Sequence, residues 1–323
     1  MGSGAWSARN FFDSATARAA AGLDTFDYSV RAKQSGVLRV HQTLDPYGMG
    51  IRESRDSAEH PDSNAVLISL DVTGSMDRVV RGIHRDLPHL HELLLGHKYI
   101  PHPQVMFAAV GDATCDRIPL QVGQFESDNR MDQNLEHMIL ECGGGGQKTE
   151  SYELTMYVAA RHTALDCVEK RGRKGYLFMI GDEMAYPVVR RAHVQKLIGT
   201  DPQADIPLRQ IIEEVREKYH LYFVIPGGAA HGQDRDVLRF WTEHLGQQSV
   251  LSLQDPNDTA ECIAMTIGLK EGVVSLDQAQ QHLATRHQGA GVIERIFGAI
   301  KSLFGAAGGG DSSPPSHTGT RKL

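Results

Sequence analysis

Asp71-Val72-Thr73-Gly74-Ser75 places a carboxylate and two hydroxyls at alternate positions, after the apolar run 65–70 and before a helical pattern. A tight loop with that alternation turns side chains 71, 73 and 75 toward one point. Their oxygens are hard donors, suited to Mg2+, which takes about six oxygen ligands and keeps some of them as water. Two distant segments offer the same chemistry. The apolar run 176–180 is followed by Gly181-Asp182, and the glycine-rich stretch 143–146 leads through Gln147 and Lys148 to Thr149 and Glu150. Asp, Thr and Ser also cap helices, but capping accounts for one of these residues and not for all five.

Other residues qualify this centre. Asp112 follows the apolar run 105–110 and reads either as extra negative charge near the metal or as a turn residue beside Gly111. Lys148 weakens a cation site if it points inward and attracts an acidic ligand if it points outward; like Asp112, it and Glu150 stand either just behind the ligands or on the rim of the site. The loop 143–149 lacks the glycine before lysine that a phosphate-binding loop requires, and it follows a helical stretch rather than a strand. Histidines 84, 89, 91, 97 and 102 crowd one region without metal-ligand spacing, which predicts a solvated helix face. Four scattered cysteines form no CxxC pair.

The elements that must position these residues alternate between strand and helix. Buried-type apolar runs occur at 65–70, 105–110, 176–180, 221–225 and 250–253, with a weaker edge candidate at 118–122. Helical periodicity separates them, with Asp205 and Pro207 predicted to start one helix, and Asp258 with Glu261 spaced as a capping box for another. Pro88 should interrupt the helix that begins near Met76. Such alternation predicts an α/β fold: a Rossmann-like, mostly parallel sheet with helices on both faces and one antiparallel edge strand. Ligands of such sheets bind outside the carboxyl ends of the strands, where Asp71, Asp112 and Asp182 all fall. The expected organisation is an N-terminal extension (1–63) with a hairpin across Ser35-Gly36 and a linker, a main domain (64–270), C-terminal helices (271–306) and a flexible tail (307–323).

The combination of Asp71-x-Thr73-x-Ser75, then Thr149 in a glycine-rich loop, then Asp182 after the fourth strand resembles the metal-ion-dependent adhesion site of the von Willebrand factor A (integrin I-like) family, over about residues 64–268. The resemblance implies direct coordination by Ser75, Thr73 and Thr149, with Asp71 and Asp182 acting partly through water. Mg2+ is the expected ion, with Mn2+ or Ca2+ as alternatives. An open position would accept an Asp or Glu from a protein partner. This chain departs from the pattern in having Thr73 for serine, and Lys148 beside Thr149.

Two classes of function follow. One is a metal-dependent protein-interaction module; intracellular bacterial relatives of that kind work with AAA+ ATPases of the MoxR type or in stress and conflict systems. The other is a Mg2+-assisted hydrolase or phosphotransferase, which needs a nucleophile and base beside the metal; Asp112, Cys115 and Asp116 are the residues to consider. A ribonucleoprotein role is a third reading. The 323 residues carry 33 Lys and Arg against 40 Asp and Glu, a net charge of −7 that argues against nucleic acid. No apolar run reaches membrane-spanning length and no secretory signal is visible, so a cytoplasmic location is the expectation. Near the end, Ile293, Ile296, Phe297, Ile300 and Phe304 form an apolar helical stripe that either packs on the domain itself or receives a partner.

Overall fold

A computed structural model of the chain describes residues 4–141, 148–286 and 289–304; the side chain of Ser75, Cys142, the loop 143–147 and the tail from 305 lie outside it. The main sheet has six strands: β1 (Ser63–Asp71), β2 (His102–Val110), β3 (Leu120–Val122), β4 (Gly175–Ile180), β5 (Tyr219–Ile225) and β6 (Val250–Ser252). Their order is β6-β5-β4-β1-β2-β3, parallel throughout except for β3, which runs antiparallel to β2 at the edge. The connection order reverses between β1 and β4. A crevice opens at such a point because the two connections leave toward opposite sides. Leu70 of β1 stands opposite Ile180 of β4, and Asp71 opposite Val110 of β2, so the residues after all three strands emerge together.

All nine residues of β1 are buried, as a central parallel strand covered on both faces requires. Period-two alternation divides them. Val66, Ile68 and Leu70 join one core with helices Asp77–Arg85, Thr259–Lys270 and Ala290–Phe304. Ala65 and Leu67 join a second core with helices Tyr152–Arg161, Leu208–Lys218 and Arg235–Leu245. Pro88 sits in the first turn of a separate short helix, Leu87–His91, so the expected interruption falls there. The two predicted caps do different work. Asp205 accepts from the Arg191 backbone N–H at 2.8 Å, and Asp258 takes Arg295 at 2.6 and 2.9 Å, tying the last helix to the sheet layer. In that helix Ile296, Ile300 and Leu303 are buried, and Ile293, Phe297 and Phe304 pack partly against the same core. The buried side of the stripe thus packs on the chain's own core, as one of the two expectations had it.

The N-terminal expectation is corrected. Residues 26–42 form no hairpin; helices Ala8–Ala20 and Asp27–Ser35 occupy the region, and Gly36 ends the second with a left-handed backbone (φ 71°). The same glycine that suggested a hairpin turn serves as a helix stop. Phe11, Phe26 and Leu44 join the first core. The histidine reading is corrected too. His84 and His91 are buried, the former on Glu136 at 3.0 Å and the latter stacked on Trp6 with ring centroids 4.5 Å apart. Burial pushes His91 down to about 4, so it packs as a neutral ring.

Trp6 also donates to both carboxylate oxygens of Asp132, at 2.9 and 3.1 Å. Burial pushes that carboxyl up to about 6, against the pull of Trp6 and Asn129. A raised carboxyl favours folding fully below its ordinary value of 3.8, and the benefit is lost as pH rises to about 6. Asp132→Asn is expected to stabilise the protein by about 1 kcal/mol above pH 6 and by nothing near pH 4. Urea unfolding at the two pH values checks this; equal shifts at both would refute it.

Candidate functional site

Asp71 ends β1 with no exposed surface. Its Oδ1 accepts from the Thr73 N–H at 2.8 Å and the Thr73 hydroxyl at 2.6 Å. Its Oδ2 accepts from the Tyr152 hydroxyl at 2.8 Å. Burial raises the carboxyl to about 6; its three donors pull it down, and the charge of Asp182 adds to the rise. Tyr152 is fully buried, edge-on to Phe223 and Trp241, and its hydroxyl lies against the Cα of Gly181, where a Cβ would come within 1.9 Å. Gly181 is thus the residue that lets the tyrosine reach Asp71.

Asp182 is fully buried after β4, and its Oδ2 accepts from the His231 backbone N–H at 2.7 Å. Thr149 and Glu150 form a two-residue strand paired in parallel with Met184–Ala185, which sets Thr149 opposite Met184, two residues past Asp182. The Thr149 hydroxyl lies within interaction range of the Tyr186 hydroxyl. Four of the five sequence-predicted ligands are therefore described, and all lie at the β1–β4 crevice: Asp71 with Thr73, Asp182 electrostatically against Asp71, and Thr149 beside the Asp182 loop. Ser75 has its backbone in the 3-10 turn Gly74–Met76; its side chain is outside the described atoms.

Lys148 pairs with Asp234 at the start of helix Arg235–Leu245. Of the two places offered for Glu150, behind the ligands or on the rim, the structure gives the inner one. It is buried, 2% exposed, and raised far above the carboxylate range by burial and then by Asp71, Glu183, Asp116 and Asp112. Asp112 closes the expected turn, its Oδ1 accepting from Thr114 N and Oγ1 at 2.8 and 2.7 Å, and its charge also bears on Glu150.

Glu183, Glu153, Tyr152 and Tyr186 escaped the sequence reading. Glu183 adjoins Asp182, and burial together with Asp71 raises its carboxyl. Glu153 is 1% exposed within helix Tyr152–Arg161, a position periodicity alone assigns to packing. A hydroxyl aimed at a carboxylate from a remote helix leaves no local signature; the only hint for Tyr152 was its place just after Ser151.

The charge balance differs between the two ends of the sheet. At the strand starts, Asp56 is held far below its ordinary value by Arg171, and Arg55, Lys170 and Arg173 pair with Asp166, Glu169, Asp62 and Glu271. At the carboxyl ends, oxygen atoms of Glu150, Glu153 and Glu183 are buried and receive no hydrogen bond. Among the described residues, no three of His, Cys, Asp and Glu are drawn into a metal shell on their own. The predicted set draws on hydroxyls for three of its five side chains, and the surplus of buried negative charge around it fits a hard cation. The thiol of Cys115 donates to Asp112 at 3.3 Å and is pushed up to about 12, which keeps it protonated and a poor nucleophile.

Among the described residues, no helix is long and apolar enough to cross a membrane. No family model matches the chain. No curated protein matches it either. Among solved structures, it is similar to the pilus adhesin SpaC from Lactobacillus rhamnosus GG, with a TM-score of 0.43 and 8% identity over 68% of this chain and 32% of that one. The open conformation of the same adhesin gives 0.41 and 8% over 72% and 31%. Proximal thread matrix protein 1 from the mussel byssus gives 0.40 and 9% over 64% and 47%. The chain thus spans less than half the length of each of these proteins.

Proposed function

We propose that this chain is a divalent-cation-dependent protein-interaction module of the von Willebrand factor A type. Mg2+ is held by Thr73, Ser75 and Thr149, with Asp71 and Asp182 acting partly through water. A partner's Asp or Glu completes the shell. The observation that carries the reading is the crevice between β1 and β4: it gathers Asp71, Asp182 and Glu150 in buried positions, while Lys148 is neutralised by its pairing with Asp234. Buried carboxylates that repel one another are stabilised by a cation between them. The hydrolase alternative is weakened by the protonated state of Cys115, and the net charge of −7 weighs against RNA. An AAA+ ATPase of the MoxR type is the partner class that the family resemblance suggests.

Melting of the full chain in chelator and in Mg2+ tests the reading. At about 100 times its Kd, a ligand that binds only the folded state adds about 2.7 kcal/mol, which for a chain of this size is a rise of roughly 5–10 °C. That rise should vanish in Asp71→Ala and shrink in Thr149→Ala. Equal melting of the wild type with and without the ion would sink the proposal. If the rise is found, affinity capture from the native host in Mg2+ and then chelator identifies the partner.

A further inference from the structure

At the β3 edge of the sheet lies a cavity of about 210 Å3. Its walls come from three segments. The Val122 N–H of β3 donates to the Leu44 carbonyl at 2.7 Å, which fixes the turn 41–44 against the strand. The chain after β3 is bridged to β2 by two backbone bonds between Glu126 and Val105, at 2.9 and 3.0 Å. Helix Arg130–Glu136 closes the third side. Walls tied by backbone hydrogen bonds are in place before a ligand arrives, as in most small-molecule sites.

Asn134 is what points to a ligand. It lies within that helix, is 7% exposed, and lines the cavity with a side-chain amide that meets no hydrogen-bond partner among the described residues. A buried amide left unpaired costs free energy, and an apolar residue would fill the position without that cost. Gln124 adds a second amide. Its Oε1 accepts from the backbone N–H groups of Glu53 and Phe125, at 3.2 and 2.9 Å, and its Nε2 is left as a donor without a partner among the described residues. Thr43 supplies an acceptor. Its N–H, 3.3 Å from His41 Nδ1, makes that nitrogen the acceptor, so the Thr43 hydroxyl at 2.8 Å donates to it and keeps its lone pairs for a ligand. The lining carries no net charge. Glu126 and Arg130 pair at 3.0 Å, and burial, then the neighbouring His41, lower the pKa of His137 and favour its neutral ring.

We infer that this cavity binds a small neutral polyol, of monosaccharide size or less. An amide that both donates and accepts, a lone N–H donor and a hydroxyl acceptor match the donors and acceptors that adjacent hydroxyl groups present together. A carboxylate, phosphate or ammonium group would find its opposite charge already paired and would still lose its hydration. The volume is several times the roughly 30 Å3 share of one water molecule, and below the ~300–1,000 Å3 of drug-sized pockets. The inference is independent of the proposed cation site.

Saturation-transfer NMR and calorimetry on the full chain test it, with glycerol, erythritol and arabinose as polyols, acetamide and urea as amide probes, and acetate and methylammonium as charged probes. At least one polyol should bind with a millimolar Kd. Asn134→Leu, which exchanges the amide for an apolar group of similar size, should weaken that binding roughly tenfold or more. Thr43→Val, on the exposed wall, should weaken it as well, and it decides the question if Asn134→Leu fails to fold. Absence of polyol binding overturns the inference and leaves the cavity to water. Binding that neither substitution weakens puts the polyol elsewhere and also overturns it, as does a preference for the amide or charged probes over every polyol.

Discussion

Gly181→Ala is expected to destabilise the protein by about 3 kcal/mol or more and to disable the proposed cation site at the same time. The new Cβ would lie 1.9 Å from the Tyr152 hydroxyl oxygen and 2.6 Å from Cζ. Overpacking a well-filled core costs about 1–3 kcal/mol when side chains can adjust. Tyr152 has little room to do so. Phe223 and Trp241 stand edge-on to it, with ring centroids at 5.2 and 5.6 Å, and it is fully buried. Any movement also takes its hydroxyl from Asp71 Oδ2, leaving a buried carboxylate one donor short, a further cost of about 1–3 kcal/mol. Denaturant unfolding measures the loss. Adding Tyr152→Phe should recover part of it, since the shortest contact goes while the 2.6 Å contact to the ring stays. A loss below about 1 kcal/mol for Gly181→Ala alone would show that the tyrosine is not wedged as described.

Glu150→Gln should move stability the other way in chelator, raising the melting temperature by roughly 3–6 °C. The carboxyl sits among Asp71, Glu183, Asp116 and Asp112, and its Oε2 receives no hydrogen bond. Keeping it buried costs free energy in either protonation state: ionised it repels four neighbours, and neutral it must hold a proton far above its ordinary pKa. The amide removes the charge and brings two N–H donors to carboxylates that lack them. A gain of about 2 kcal/mol is reasonable for relieving such a group, and for a large domain that is a few degrees. If Mg2+ binds as proposed, the same change should shrink its stabilising effect, because the charge that penalises the metal-free fold attracts the ion. A residue that weakens the empty protein and strengthens the loaded one marks a functional position. An unchanged or lower melting temperature in chelator would remove the basis for treating Glu150 as uncompensated.

The apolar runs dictated the strands of the central sheet, because a strand buried on both faces must be apolar through its middle, and the cores of β1, β2, β4 and β5 are. The edge position of β3 was legible for the opposite reason, its short and weaker run. The strand-end positions of Asp71, Thr73 and Asp182 were legible because the end of a buried strand is written locally, as polar residues directly after apolar ones. The N-terminal helices were not: Gly36 suits a turn and a helix stop equally, and the choice falls to the burial of Phe11 and Phe26 against distant residues of the core. His84 and His91 were misjudged for the same cause, since their partners Glu136 and Trp6 are 52 and 85 residues away. Tertiary structure alone decided that Lys148 faces Asp234, that Glu150 lies inside the crevice, and that Tyr152 and Tyr186 serve the two aspartates. Local sequence records which groups a residue can bond; which of them it meets depends on how strands from remote segments are ordered, and that is set by packing of the whole chain.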